Sequence, residues 1–192
     1  MAKAATQKTV AAPSVSRAPA QAGREFSAEG VRISVSAPAT RISLRAPAAS
    51  VAALSKALGL TLPKAPKTSA TGGARVALWL GPDEWLVIDD AGRDLLADCT
   101  SVKALHAAVD ISHRNVAIEV AGQNAVATLN AGCPQDLSLA AFPVGACSRT
   151  ILGKIEIVLY RVEQNRFRVE CWRSFSDYAL AFLSQAAADA AA

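Results

Sequence analysis

The chain has 192 residues, 52% of them hydrophobic, and a formal net charge of +4. That length suits one domain or two small lobes; much of the apolar share is alanine, so a core must rest on Leu, Ile, Val and a few aromatics, each large buried side chain being worth roughly 1.5–3 kcal/mol. The charge does not make a nucleic-acid surface: Lys3, Lys8, Arg17 and Arg24 lie in an acid-free stretch, and the rest of the chain carries as many acids as bases, whereas phosphate binding needs a clustered basic face.

Residues 1–25 read as a disordered basic arm, since Ala, Pro, Ser and Gln cannot bury enough surface to offset ordering entropy. The arm has no hydrophobic core of a secretory signal. Order is expected from about Phe26. Val31, Ile33 and Val35 alternate with Arg32 and Ser34, a half-buried strand pattern, and Ile42 and Leu44 repeat it over residues 40–45. Pro47 stands where a helix tolerates it. Val51, Leu54 and Leu58 follow at helical spacing, and Gly59 is placed to end that helix in a left-handed conformation.

Residues 61–74 hold two prolines and two glycines and are expected to be a loop. Residues 75–80 and 84–88 form two apolar runs around Gly81, Pro82 and Asp83, which is a hairpin signal. A short helix is expected near residues 101–108. Residues 115–120 alternate as a strand, and 123–131 read as a helix with Val126 and Leu129 inward. A loop over 133–147 precedes a strand pair at 150–160 and 166–171. Ser174 and Asp177 suggest the start of a last helix, with Phe175, Tyr178, Phe182 and Leu183 on its apolar stripe and an alanine tail that frays from Ala186. These elements describe an α+β fold: two split βαβ, ferredoxin-like units with antiparallel sheets, at residues 26–108 and 109–192.

No apolar run approaches the ~20 residues that span a bilayer, so no membrane partner is expected. Cys99, Cys133, Cys147 and Cys171 show no C-x-x-C pair and no neighbouring histidine, which gives no zinc spacing; free thiols fit a reducing, cytoplasmic location. No G-x-G-x-x-G or Walker pattern is present, so this chain alone is expected to bind no cofactor. Asp110, Ser112 and His113 are near neighbours on one segment, and a catalytic triad is recognised by converging geometry rather than adjacency. No catalytic or metal-binding residue is therefore assigned. Trp85, His113, Arg114, Trp172 and Arg173 are candidates for a partner interface, because Trp and Arg dominate binding hot spots.

Four segments carry a family resemblance: L-G-P-D-E-W-L at 80–86, V-D-I-S-H-R at 109–114, G-C-P-Q-D-L at 132–137 followed by Phe142, Pro143 and Gly145, and R-S-F-S-D-Y at 173–178. In this order they resemble the gamma subunit of heterotetrameric sarcosine oxidase. The resemblance implies a fold like that of the folate-binding aminomethyltransferases. It also implies a non-catalytic role beside alpha, beta and delta subunits. The complex so implied oxidatively demethylates sarcosine to glycine, releasing hydrogen peroxide and formaldehyde or methylenetetrahydrofolate. FAD, FMN, NAD, tetrahydrofolate and zinc would sit on the other subunits. The equivalent subunit of a related N-methyl amino-acid dehydrogenase, or a stand-alone folate-binding protein, are the alternatives.

Overall fold

Strand β1 (Glu25–Ala28) turns back on β2 (Val31–Val35) with Phe26 opposite Ile33 in the computed structural model, which describes residues 20, 21 and 23–191. β2 then pairs with a strand far along the chain, β8 (Asn115–Ala121), setting Ile33 against Val120. Between them lie β3 (Thr40–Arg45), β4 (Ser69–Gly72), β5 (Arg75–Gly81), β6 (Glu84–Asp89) and β7 (Ala107–Asp110). After β8 come β9 (Cys147–Leu152), β10 (Ile155–Glu163) and β11 (Arg166–Trp172). Among the described residues these make a six-stranded sheet, ordered β1-β2-β8-β11-β10-β9, and a five-stranded sheet, ordered β4-β5-β6-β3-β7. All neighbouring strands run antiparallel.

Side-chain alternation shows how the layers stack. On β6, Trp85 and Val87 join a core with α1 (Val51–Leu58) and α2 (Leu95–Thr100), while Leu86 and Ile88 join a second core with Val158 and Tyr160 of β10. On β10, Ile157 and Leu159 face the other way, into a third core with α3 (Ala125–Asn130) and α4 (Ser176–Ala190). The order is helices, sheet, sheet, helices. Both faces of the central strands are covered, so segments such as W-L-V-I in β6 are apolar without interruption.

The layer between the sheets is apolar where β5 and β6 meet β9 and β10, and ionic where β3 meets β11. Arg41 of β3 donates from Nε to Glu170 of β11 at 2.8 Å, with side-chain exposures of 3% and 0%. Arg168 donates to the other Glu170 oxygen at 2.8 Å and to Asp90 at 2.9 Å. A charge in low dielectric is tolerated only with such partners.

The structure departs from the sequence expectations at several places. The units expected at 26–108 and 109–192 exchange strands: β1 and β2 enter the sheet of the second half, because β8 offers an open edge and matching alternation. The arm expected over residues 1–25 lies largely outside the described residues; Glu25 already pairs with Ser34. The expected loop at 61–74 contains the edge strand β4, with Ala70 opposite Ala77. The helix expected near 101–108 lies earlier, at α2, where the Asp94 carboxylate accepts from Ala97 N–H at 2.9 Å and caps it; residues 107–110 instead pair with β3.

The strand expected at 150–160 is broken by a tight turn at Gly153, whose φ is +58°. A Cβ there would lie 2.3 Å from Tyr178 Oη, so only glycine fits. Ser174 does not cap the last helix: residues Arg173–Phe175 form a 3₁₀ turn, and α4 starts at Ser176, whose Oγ donates to Arg173 O at 2.8 Å. The alanine tail does not fray at Ala186, since Ala186 and Ala187 are buried and α4 runs to Ala190.

Candidate docking surface

The V-D-I-S-H-R segment is the crossing from one sheet to the other, from β7 into β8. Its tight path follows from local hydrogen bonds. Asp110 Oδ1 accepts from Ser112 N–H at 2.8 Å and from the Ser112 hydroxyl at 2.5 Å. Arg114 N–H and Asn115 N–H both reach Ile111 O, at 3.0 and 3.2 Å. The bonds from Ser112, with His113 nearby, hold the Asp110 carboxyl below its ordinary value. Asp110 is therefore a turn-forming residue, and His113 and Arg114 are left on the outside.

The R-S-F segment supplies the facing half. Trp172 ends β11 opposite Asn115, and Arg173 N–H donates to Arg114 O at 2.6 Å. The Trp172 and Phe175 rings stack at 5.8 Å with planes 14° apart. The Arg114 guanidinium lies 5.3 Å from the Trp172 ring centre. Trp172 is 42% exposed and Phe175 36%. An open cleft joins His113, Arg114, Trp172, Arg173 and Ser174. His113 and Arg173 also border an apolar groove of about 280 Å³ beside the loop at residues 36–39.

Four of the five residues proposed for an interface thus converge. Trp85 does not: it is 1% exposed, and its indole Nε1 donates to Pro63 O at 2.7 Å inside the core under β6. It belongs to the core because its hairpin is covered by α1 and α2. Phe175 was missed, having been assigned to the buried stripe of the last helix; the 3₁₀ turn rotates it out. No spacing pattern announces that turn, although the bulky W-R-S-F run does mark the spot.

The shielded carboxylates Glu170, Asp89 and Glu84 are engaged in holding the fold. Burial alone would raise the Glu170 carboxyl, but the charges and hydrogen bonds of Arg41 and Arg168 bring it below its ordinary value. Burial opposes and Arg75, with Ala91 N–H, outweighs it at Asp89; Arg149 and Arg45 do the same at Glu84. These carboxylates are charged at neutral pH and are poor proton donors. Burial pushes the Cys99 thiol up to about 11 and those of Cys147 and Cys171 up to about 12, away from the thiolate form that reacts. Among the described residues, no three His, Cys, Asp or Glu side chains are grouped to hold a metal, and no helix is long and apolar enough to cross a membrane. The site's chemistry is that of contact: flat aromatic area, guanidinium charge and an adjacent apolar groove.

Residues 43–189 match the model of the sarcosine oxidase, gamma subunit family. The chain is 31% identical to the sarcosine oxidase subunit gamma of Corynebacterium sp. (strain P-1) over 138 residues, 70% of this chain and 68% of that one. It is 31% identical to that of Arthrobacter sp. over 121 residues, 62% of this chain and 60% of that one. A chain of the heterotetrameric sarcosine oxidase from Corynebacterium sp. U-96, solved in complex with pyrrole 2-carboxylate, is similar with a TM-score of 0.81 and 29% identity, over 88% of this chain and 89% of that one. The glycine cleavage system aminomethyltransferase T of Bartonella henselae shares the fold, with a TM-score of 0.60 at 14% identity over 83% of this chain and 49% of that one. The architecture is thus the mixed α+β, aminomethyltransferase-like fold, and the chain belongs to the sarcosine oxidase gamma subunit family.

Proposed function

We propose that this chain is a non-catalytic assembly subunit of a heterotetrameric, cytoplasmic sarcosine oxidase, docking on alpha, beta and delta chains through the surface of Arg114, Trp172 and Phe175. The observation that carries the reading is that surface itself. Its stacked rings and guanidinium are exposed, while Trp85 and the Arg41–Glu170 pair are buried within the fold. Exposed Trp and Arg at one spot are what a protein interface uses. In the proposed complex, sarcosine is demethylated to glycine with release of hydrogen peroxide and formaldehyde or methylenetetrahydrofolate, and FAD, FMN, NAD, tetrahydrofolate and zinc are held by the partners.

Folate binding between the sheets of this chain has little support. Two clefts there, one bordered by Ser43, Trp85, Glu170 and Trp172 and the other by Arg75, Tyr160 and Arg168, measure about 50 and 250 Å³, against the roughly 300 Å³ or more of a small-molecule pocket.

Co-expression with the three partner chains, followed by size-exclusion chromatography and flavin absorbance, tests the proposal. The chain should elute with the flavin-bearing complex. A chain that elutes alone, or that oxidises sarcosine by itself, would end the proposal. The substrate profile of the same complex separates sarcosine from other N-methyl amino acids.

A further inference from the structure

The docking surface sets a guanidinium against aromatic rings rather than against a carboxylate. Arg45, Arg75, Arg149, Arg166 and Arg168 each lie within 4.0 Å of at least one carboxylate oxygen. Among the described residues, Arg114 has no such partner. Its guanidinium meets the Asn115 side-chain oxygen at 3.3 Å and the face of Trp172. The acid closest in sequence, Asp110, is committed to Ser112. Among the described residues, no acidic residue lines either the aromatic shelf or the groove beside it.

The groove adds a second requirement. Val35, Ala37, Pro38, Val116 and Ala117 give it apolar walls, and its 280 Å³ leaves room for one large side chain. Since His113 and Arg173 border both groove and shelf, an occupant of one reaches the other. Covering this surface takes water away from Arg114. A guanidinium stripped of water needs a counter-charge, and its planar fork suits a carboxylate.

Building on the assembly reading, we infer that the partner subunit contacting this surface presents an Asp or Glu carboxylate to Arg114, with an apolar side chain of the same segment seated in the groove. The carboxylate sets orientation and rate of encounter, and the apolar anchor supplies area.

The test uses the full chain and its co-expressed partners, with dissociation followed by sedimentation at low and high salt. Arg114→Ala should weaken assembly by about tenfold or more and flatten its salt dependence. Arg114→Lys should recover part of the loss and Arg114→Glu should deepen it. Ala37→Trp, which fills the groove from an exposed position, should weaken assembly at both salt concentrations. Melting curves of the isolated variants should stay close to that of the parent chain, because Arg114 and Ala37 are surface residues. If Arg114→Ala and Arg114→Glu assemble as the parent does, the carboxylate inference is overturned while the assembly role stands. If the parent chain itself does not assemble, both fall.

Discussion

Arg41 and Glu170 face each other across the two sheets at 2.8 Å, each almost wholly shut off from solvent. They are 129 positions apart in the chain and join β3 to β11 where the apolar packing between sheets stops. Arg41 also donates to its near neighbour Ala39 O at 2.9 Å, and Glu170 is shared with Arg168. One buried carboxylate is therefore shared by two guanidiniums in the layer between the sheets, with Asp90 a second partner of Arg168.

Removing that carboxylate's charge leaves Arg41 uncompensated and Arg168 with Asp90 alone. Glu170→Gln should lower unfolding stability by about 3–5 kcal/mol, the usual effect of breaking a buried pair from one side. Replacing Arg41 and Glu170 together by Leu and Met should be milder than the sum of the single changes. Urea unfolding of the two single variants and the double variant measures this, and additive losses would show the two residues to be uncoupled.

Three shielded, ion-paired carboxylates set the acid limb of stability. The folded-state values of Glu170, Glu84 and Asp89 lie below their ordinary 4.5, 4.5 and 3.8. Their contribution is complete above those ordinary values and is lost as pH falls through the lower folded ones. Stability should thus hold from neutrality to about pH 5 and drop steeply below it. Glu170→Gln should show a shallower slope in that window, since one fewer proton is taken up on unfolding. Urea midpoints between pH 3 and 7, taken at about half-unit steps, test the slope.

The two tryptophans Trp85 and Trp172 should separate stability from assembly. Trp85→Ala removes a side chain that is 1% exposed and should destabilise the isolated chain by about 3–5 kcal/mol. Trp172→Ala should shift the isolated chain by less than about 1 kcal/mol, yet weaken association by tenfold or more. Thermal melts alongside a pull-down by the partner chains give both readings. A large stability loss from Trp172→Ala would count against its role at an interface.

The cysteines offer a direct probe of packing. All four are free and buried, and three have values raised to about 11 or 12 by burial. Native protein at pH 8 should react negligibly with a thiol-specific chromogenic disulfide, and four thiols should titrate once guanidinium unfolds it. Rapid reaction of the folded chain would show that these sites open locally.

Much of the fold is legible in the sequence, and the exceptions have definite physical causes. Val51, Leu54, Leu58 and Gly59 announced α1 and its left-handed end, where Gly59 has φ +68°. The hairpin around Pro82 was equally plain, because turn residues there separate two apolar runs. β4 was missed since a short edge strand buries little and carries no strong alternation. α2 lies earlier than expected because a six-residue helix is too short to show a clear apolar repeat.

The sequence by itself determined the local elements, the neutral body of the chain and the family, since spacing, turn chemistry and motif order are written in neighbouring residues. Only the tertiary structure decided which sheet β2 and β7 join, that Trp85 lies inside while Trp172 lies outside, and that Arg41 meets Glu170. Alternation tells which side chains share a face of a strand, but not which element will cover that face. That choice is made by pairing between distant segments, where burial and charge balance are settled together.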